Sequence, residues 1–405
     1  MLVPLSYNLR SLWVRRSATL LTVLGIASTV AVVAGVLALQ QGFRSLYASN
    51  GRDDVAVFLR PGATNEGDSA FRRDLGLQLI KNVPEIETGA DGAPLASMEC
   101  YLAVRRFRKG GDGTEETNVP IRGVQPPTFA IRGDDFRIVE GRRFEPGTDE
   151  IIVGTKLVDR IRNCEVGDVL TLNTTPFNVV GVFECDGPFE SEIWGDLDRM
   201  LAALERYGPN RVIARMRPEA FQPALDPETL GFETRLGALA ERLKNDREVP
   251  AKVWTEREFL SAQTGMLSFV LIFLGTFLGL VMGIAAVFTA TNTMLSAIAA
   301  RTHEIGILKA TGFRPFAILV SFLFEAMVLG LAGGVLGGLA SFAINGVQTG
   351  TTNFQTFTEV SFAFRVTPIV LVAAIGFSLV LGLFGGLIPA WRASRMTPTQ
   401  ALRRR

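Results

Sequence analysis

Four long stretches almost free of charge decide what this sequence can fold into. Ala18 to Leu39, Ser268 to Ala300, Phe316 to Ile344 and Val366 to Trp391 hold a single ionisable side chain between them, Glu325. A backbone in hydrocarbon must satisfy its own hydrogen bonds, which a helix does, and ionised groups there are costly. At about 1.5 Å rise per residue the first stretch alone makes a helix of about 33 Å, matching a hydrocarbon layer of roughly 30 Å. The pattern predicts four membrane spans. With 48% hydrophobic and only 20% charged residues, a soluble enzyme of average composition is excluded.

The remaining charge predicts an orientation. The 41 Lys and Arg against 40 Asp and Glu give +1, no footprint for nucleic acid, so no nucleic-acid partner is expected. Eleven cations flank one side of the spans: Arg10, Arg15 and Arg16 before the first, Arg301, Lys309 and Arg314 between the second and third, and Arg392, Arg395, Arg403, Arg404 and Arg405 after the fourth. The loop 345–365 has only Arg365. Because positive residues stay inside, segments 1–17, 301–315 and 392–405 are expected in the cytoplasm and 40–264 outside. The apolar run 18–39 is longer than the roughly 7 to 15 residues of a cleaved signal's core, so a retained anchor is expected.

The outside segment alternates strand and helix signals. Val55 to Leu59 reads as strand, Ser69 to Asn82 as a helix with Phe71, Leu75 and Leu79 on one face, and Ile86 onward as strand again. The same order returns at Arg211 to Met216, at Leu230 to Lys244 with Leu236, Leu239 and Leu243, and at Ala251 to Trp254. Two β-α-β parts, about 50–97 and 206–254, would bracket a β-rich insertion, about 98–205. There Val169 to Leu172 and Phe177 to Phe183 are strands, with breaks at Gly167-Asp168, Pro176 and Gly187-Pro188. The expected fold class is an α-helical membrane protein with four transmembrane helices plus a large α+β extracytoplasmic domain. Cys100, Cys164 and Cys185 allow at most one internal disulfide and have no zinc spacing; at least one is expected to be a small buried hydrophobe.

Thr255-Glu-Arg-Glu supplies a helix N-cap with early acidic residues, and no Gly-Pro break follows before the second apolar stretch. One helix is expected to run from the outer domain through 265–300 as a stalk. Gly330, Gly334 and Gly338, with the offset Gly333 and Gly337, recur four residues apart in span three (316–344), as do Gly382 and Gly386 in span four (366–391). Small residues at that spacing let helices approach closely in lipid. Glu325 is open to two readings, a functional intramembrane carboxylate or a packing group hydrogen-bonded between helices. Thr289, Thr291, Asn292 and Thr293 either bond across helices or ease span two into the interface.

Between spans two and three lies Arg301-Thr-His-Glu-Ile-Gly-Ile-Leu-Lys-Ala-Thr-Gly312, then Phe313-Arg314-Pro315. It predicts a short amphipathic helix with Ile305, Ile307 and Leu308 apolar and Arg301, Glu304 and Lys309 polar. Gly312 is suited to close it and Pro315 to open the next helix. His303, the single histidine, is expected to be solvated. A second signature, Ile388-Pro-Ala-Trp-Arg-Ala-Ser-Arg-Met-Thr-Pro-Thr-Gln-Ala-Leu-Arg403, follows span four.

The patterns Arg-x-x-Glu-Ile-Gly-x-x-Lys-Ala-x-Gly and Pro-Ala-x-x-Ala-Ser-Arg-x-x-Pro-x-x-Ala-Leu-Arg resemble the ABC permeases of the MacB, LolC/LolE, DevC and FtsX group. Gly123-Val124, Glu140-Gly-Arg142, Glu150-Ile-Ile-Val-Gly154, Val166-Gly-Asp168 and Val179-Val-Gly-Val182 are similar to that group's periplasmic domain, so the likeness covers nearly the whole chain. The resemblance implies a multi-pass inner-membrane permease, in a homodimer or pseudo-dimer of four-helix permeases, joined to a periplasmic adaptor. It also implies a cytoplasmic LolD-like ABC ATPase contacted through Arg301, Glu304, Ile305, Gly306, Leu308, Lys309 and Gly312. Such permeases turn ATP binding into movement of their outer domains, a mechanotransmission rather than a path through the membrane core. The chain departs from the fused MacB exporter, because it has no Gly-x-x-x-x-Gly-Lys-[Ser/Thr] loop to cradle phosphates. ATP and Mg are therefore expected on a separate ATPase, with no cofactor on this chain. Efflux and lipid or lipoprotein export both stay open, lipoprotein release needing a hydrophobic groove in the outer domain; the alternative class is an FtsX-like regulator of a cell-wall hydrolase, a type whose outer domain is usually near half this size. One histidine, no metal-ligand spacing, no nucleophile elbow, and the pairs Glu115-Glu116 and Asp134-Asp135 in polar loops argue against catalysis.

Overall fold

The computed structural model describes residues 12–13, 16–47, 51–110, 115–221, 234–352 and 359–398. Arg10 and Arg15, the start of the helix expected from Leu230, and the tail signature beyond Pro398 lie outside the described residues. In chain order the elements begin with α1 (Arg16–Tyr47), β1 (Val55–Leu59), α2 (Arg73–Asn82), β2 (Ala96–Phe107), β3 (Glu116–Val124), α3 (Pro127–Arg132) and β4 (Phe136–Gly141). They continue with β5 (Glu150–Gly154), α4 (Thr155–Val158), β6 (Val169–Leu172), β7 (Thr175–Cys185), β8 (Ile193–Asp196), α5 (Leu197–Ala203), β9 (Arg211–Arg215) and α6 (Gly237–Asn245). They end with β10 (Lys252–Thr255), α7 (Glu256–Ala300), α8 (Thr302–Ala310), α9 (Pro315–Ser341), the hairpin β11 (Gln348–Thr352) and β12 (Glu359–Ala363), and α10 (Pro368–Arg395). Two compact units result: a sheet unit, 43–267 with 348–362, and a helical unit from the rest.

In the sheet unit ten strands run in the order β10-β1-β9-β2-β3-β8-β5-β7-β4, with β6 beside β7. Pairings are antiparallel except β3 with β8 and β5 with β7. The 12-residue β2 joins two regions by changing partner: 96–99 pair with β9 and 100–107 with β3. Leu79 of α2, Met200 of α5, and Leu239 and Leu243 of α6 pack against Phe58, Met98, Ile121 and Val212 of the sheet. Each such side chain, fully buried, contributes about 1.5–3 kcal/mol. Phe136, Phe144, Phe183, Phe189 and Trp194 form a separate aromatic cluster.

At the partner switch of β2 the core is charged. Arg122 of β3 donates to Glu192 (2.7 and 2.8 Å), Glu66 (2.7 Å) and Glu99 (3.2 Å), while Arg211 of β9 donates to Glu66 (2.6 Å) and Glu99 (2.7 Å). All five side chains are at most 5% exposed. Trp194 Nε1 and Thr128 Oγ1 complete the acceptors, donating to Glu192 and Glu99. Burial pushes the Glu99 carboxyl upward, but Arg211, Arg122 and Arg132 overcome it and hold the group below the usual carboxylate range. Nothing in the sequence reading anticipated this network.

Several expected elements shift. The helix begins at Arg73, not Ser69, because Ser69 Oγ accepts from Arg60 N and Phe71 N donates to Pro209 O, which holds that stretch extended. Ile86 makes only an isolated bridge to Met216; the strand starts at Ala96, after a turn closed by Gly89 N donating to Ala93 O. Pro176 lies inside β7, opposite Thr171, and the turn falls at Asn173, whose φ is 54°. Asp135 is not a solvated loop charge but pairs with Arg52 at 2.9 Å. The three cysteines are free and buried.

The helical unit contains four helices long and apolar enough to cross a membrane: Arg16–Ser45, Ser268–Ala300, Pro315–Ile344 and Pro368–Arg395. At 45 residues α7 is one helix of about 68 Å, and it starts in the sheet unit. Its first turn is a capping box: Glu258 N donates to Thr255 Oγ1 (3.2 Å) and Thr255 N donates to Glu258 Oε2 (2.9 Å). Helices α9 and α10 meet through glycines. A Cβ on Gly330 would stand 2.7 Å from Ser378 O, on Gly382 2.6 Å from Ala326 O, and on Gly386 2.4 Å from Ala326 Cβ. The offset pair turns to α1, where a Cβ on Gly333 would meet Ile26 at 2.7 Å and on Gly337 the Ala27 carbonyl at 2.6 Å. Of the polar residues ending α7, Thr291 Oγ1 crosses to Gly385 O of α10 at 3.0 Å, whereas Thr289 and Thr293 bond within their own helix.

Candidate coupling site

The segment joining α7 to α9 is built by three local breaks. Arg301, with φ −111°, leaves the helical path and separates α8 from α7. Gly312 at φ +94° allows Thr311 N to reach Ile307 O (2.9 Å) and Phe313 N to reach Leu308 O (3.1 Å), closing the end of α8. Pro315 then takes the first turn of α9, where a missing N–H is harmless.

One face of α8 is buried and the other exposed. Ile305, 2% exposed, packs with Met294 and Ile298 of α7, Ile318 and Phe322 of α9, and Ala390 of α10. Thr302 and Gly306 share that buried face, and Leu308 is half-buried. Ile307 does not join Ile305, contrary to the sequence expectation; it is 48% exposed. Two residues along a helix is about 200° of rotation, so the two cannot share a face. His303, Glu304 and Ala310 lie on the exposed side with it.

The polar residues tie α8 to its neighbours. Arg301 Nε donates to Glu304 Oε2 at 3.0 Å, and its Nη1 lies 3.6 Å from Glu325 Oε2 on α9. Glu325, 6% exposed, thus faces the start of the coupling segment. Lys309 does not project outward. Its Nζ donates to Ser394 O (2.6 Å) and to Met396 O, satisfying carbonyls at the end of α10, where the helix dipole is negative. Burial lowers the Lys309 pKa. Periodicity can assign Lys309 to a polar face but cannot show that this face meets a helix end about 85 residues away. Between α1, α7, α9 and α10, a cleft lined by Thr22, Met294, Glu325, Gly382 and Gly386 adjoins this region. Among the described residues no group of three or more His, Cys, Asp or Glu is placed to hold a metal ion.

Residues 19–227 match the family model described as the MacB-like periplasmic core domain, and residues 276–398 the FtsX-like permease C-terminal model. The macrolide export ATP-binding/permease protein MacB of Hyphomonas neptunium is 27% identical over 97% of this chain, which spans 59% of that relative's length. The ABC transporter permease YvrN of Bacillus subtilis is 26% identical and matched over the full length of both chains. The pyoverdine export protein PvdT of Pseudomonas syringae pv. tomato is 25% identical over 97% of this chain and 58% of its own. Among solved structures, the periplasmic region of MacB from Actinobacillus actinomycetemcomitans aligns with 50% of this chain and 89% of its own, at 9% identity and a TM-score of 0.33. With its four apolar helices and both halves of the match in place, the chain is a multi-pass membrane protein that belongs to the MacB-like, FtsX-type family of ABC transporter permeases.

Proposed function

We propose that this chain is the permease subunit of an ATP-driven export complex of the inner membrane, with both termini cytoplasmic, and that it couples a separate ATPase to movement of its sheet unit in the periplasm. The observation that carries this reading is α8. Its inner face is fastened to α7, α9 and α10, while His303, Glu304 and Ile307 remain exposed on the outer face. A short helix tied on several sides cannot be pushed without moving the helices that hold it. The Bacillus subtilis relative named as an ABC transporter permease, matched over the full length of both chains, supports a separate ATPase that binds ATP and Mg. The relatives named for macrolide and pyoverdine export support export as the class of work. A second permease copy and a periplasmic adaptor complete the proposed assembly.

A photocrosslinking amino acid at Ile307, in cells carrying the intact chain, should capture a polypeptide that binds ATP and contains a phosphate loop. The same group at Phe277, an exposed apolar position of α7, should not. Failure to capture an ATPase from Ile307, or equal capture from Phe277, overturns the reading.

A further inference from the structure

Two helices carry the chain between its units, and their roots in the sheet unit touch. The stretch from Gly51 follows α1, and Glu256 opens α7. Arg257 N donates to Arg52 O at 3.2 Å, Arg257 Nε donates to Gly51 O at 3.1 Å, and Arg257 Nη2 lies 3.3 Å from Asp53. A Cβ on Gly51 would stand 2.6 Å from Arg257 Cα, so the crossing requires glycine.

The same crossing holds a buried charge pair. Glu256 is 0% and Arg132 2% exposed; Arg132 Nη1 and Nη2 lie 2.7 and 2.6 Å from the two Glu256 oxygens. Arg52 N also donates to Glu256 Oε2, at 3.3 Å. The Arg52 guanidinium then extends the contact, donating to Arg132 O (3.1 Å), Asp135 Oδ2 (2.9 Å) and both oxygens of Asp54 (2.8 and 2.6 Å). Arg132 lies 4.2 Å over the Phe189 ring, which seats it in the aromatic cluster. Three chain segments therefore meet here: the root of α1, the root of α7, and the turn 132–135.

Desolvation makes a buried ion pair a poor source of net stability, because an apolar pair of the same volume often serves as well. What it supplies is register. Apolar contacts tolerate sliding, whereas a buried ion pair with one hydrogen bond, from Arg132 Nη1 to Glu256 Oε2, and a second close charge contact favours a single arrangement.

We propose that Glu256 and Arg132 are positioning residues of a clamp that fastens both membrane tethers to the 132–135 turn, so that displacement of either helix moves the sheet unit as one body. This inference rests on the reading of the chain as a permease that drives its sheet unit. Without the clamp, displacement of α1 would be absorbed at residues 51–54, which lie between it and β1, instead of reaching the sheet.

Hydrogen exchange on the full chain in nanodiscs, with no ATPase present, tests the clamp apart from that reading. In Glu256→Gln, amides in 52–58, 132–136 and 256–262 should exchange together at least about tenfold faster, while β5 and β7 keep parental protection. Glu256→Asp, which keeps the charge, should restore protection at 52–58. Arg132→Met should open the same three segments, and the double variant should be no worse than the worse single one. Opening confined to 256–262, no rescue by Glu256→Asp, or additive effects would overturn the clamp. If Glu256→Gln does not fold, Arg52→Lys replaces it, and parental protection at 132–136 in that variant counts against the proposal equally. A chain that crosslinks no ATPase from Ile307 but shows the joint opening refutes the functional reading and leaves the clamp standing.

Discussion

Gly330 and Gly338 share one small-residue register of α9, yet substitution should separate them. A Cβ on Gly330 would lie 2.7 Å from Ser378 O and 3.2 Å from Gly382 Cα, both backbone atoms. Reaching an ordinary contact requires α9 and α10 to part by about 0.7 Å, and a gap of that size forfeits roughly a quarter to a half of each dispersion contact along the seam. In lipid no hydrophobic drive between helices offsets the loss. Overpacking of this kind costs about 1–3 kcal/mol, and the better helix propensity of alanine returns about 1 kcal/mol. Gly330→Ala and Gly382→Ala should therefore destabilise by up to about 2 kcal/mol net. A Cβ on Gly338 would meet only Leu371 Cδ2, at 3.4 Å, the end of a flexible side chain, and Gly376 has nothing within 4 Å. Gly338→Ala and Gly376→Ala should be neutral or stabilising by up to about 1 kcal/mol. Unfolding of the full chain from mild detergent by added SDS, followed by circular dichroism, orders the four variants. A loss in Gly338→Ala as large as in Gly330→Ala would refute the idea that backbone approach sets the cost.

Glu99→Gln replaces the one carboxylate that bonds both Arg122 and Arg211 in a dry site by a neutral amide and should destabilise the sheet unit by about 3–5 kcal/mol, whereas Glu85→Gln, at a partly solvated pair with Arg242, should cost under about 1 kcal/mol; denaturant midpoints compare them. Glu99, Asp54 and Glu85 all titrate below their ordinary values in the folded chain, so the stability they supply is full above the unfolded carboxylate values near 4 and is lost as pH falls through the folded ones. Thermal midpoints should hold from about pH 7 to 5 and fall below about pH 4; a fall already complete at pH 5 would contradict the assignment. Burial pushes the Cys100 and Cys164 thiols up to about 12, so at pH 8 a thiol reagent should reach neither in the native chain and both after denaturation in SDS.

The spans were legible because absence of charge is a local property of sequence, and the start of α7 was legible because its capping box lies within four residues. The glycine spacing points to α9 and α10 as helices able to approach closely. It did not reveal that Gly330 touches backbone and Gly338 only a side chain, because that depends on how α10 is set against α9. Ile307 was misplaced for a related reason. Residues 305, 307 and 308 are all apolar, but they spread over about 160° of a helix, and only packing decides which of them faces inward. Lys309 and Glu325 showed as charges without partners, since Ser394 and Arg301 are distant in sequence.

The charged core of the sheet unit was missed altogether, although its sequence carries a signal. Glu99 stands in Ser97-Met-Glu-Cys-Tyr-Leu102, Arg122 in Val119-Pro-Ile-Arg-Gly-Val124, and Arg211 opens Arg211-Val-Ile-Ala214. A charge inside an apolar strand run has either an exposed face or a buried partner. Alternation favours the first choice whenever the strand has a polar face, but residues 96–101 of β2 are buried on both sides, which leaves only the second. At Glu99 and Cys100 β2 passes from β9 to β3. The side chain at that switch must satisfy two neighbours, and Glu99 does so by bonding Arg211 of one and Arg122 of the other. The charge lies at the one point of the sheet where a slip of register would separate the two regions, so its partners follow from the topology and not from any window of sequence around it.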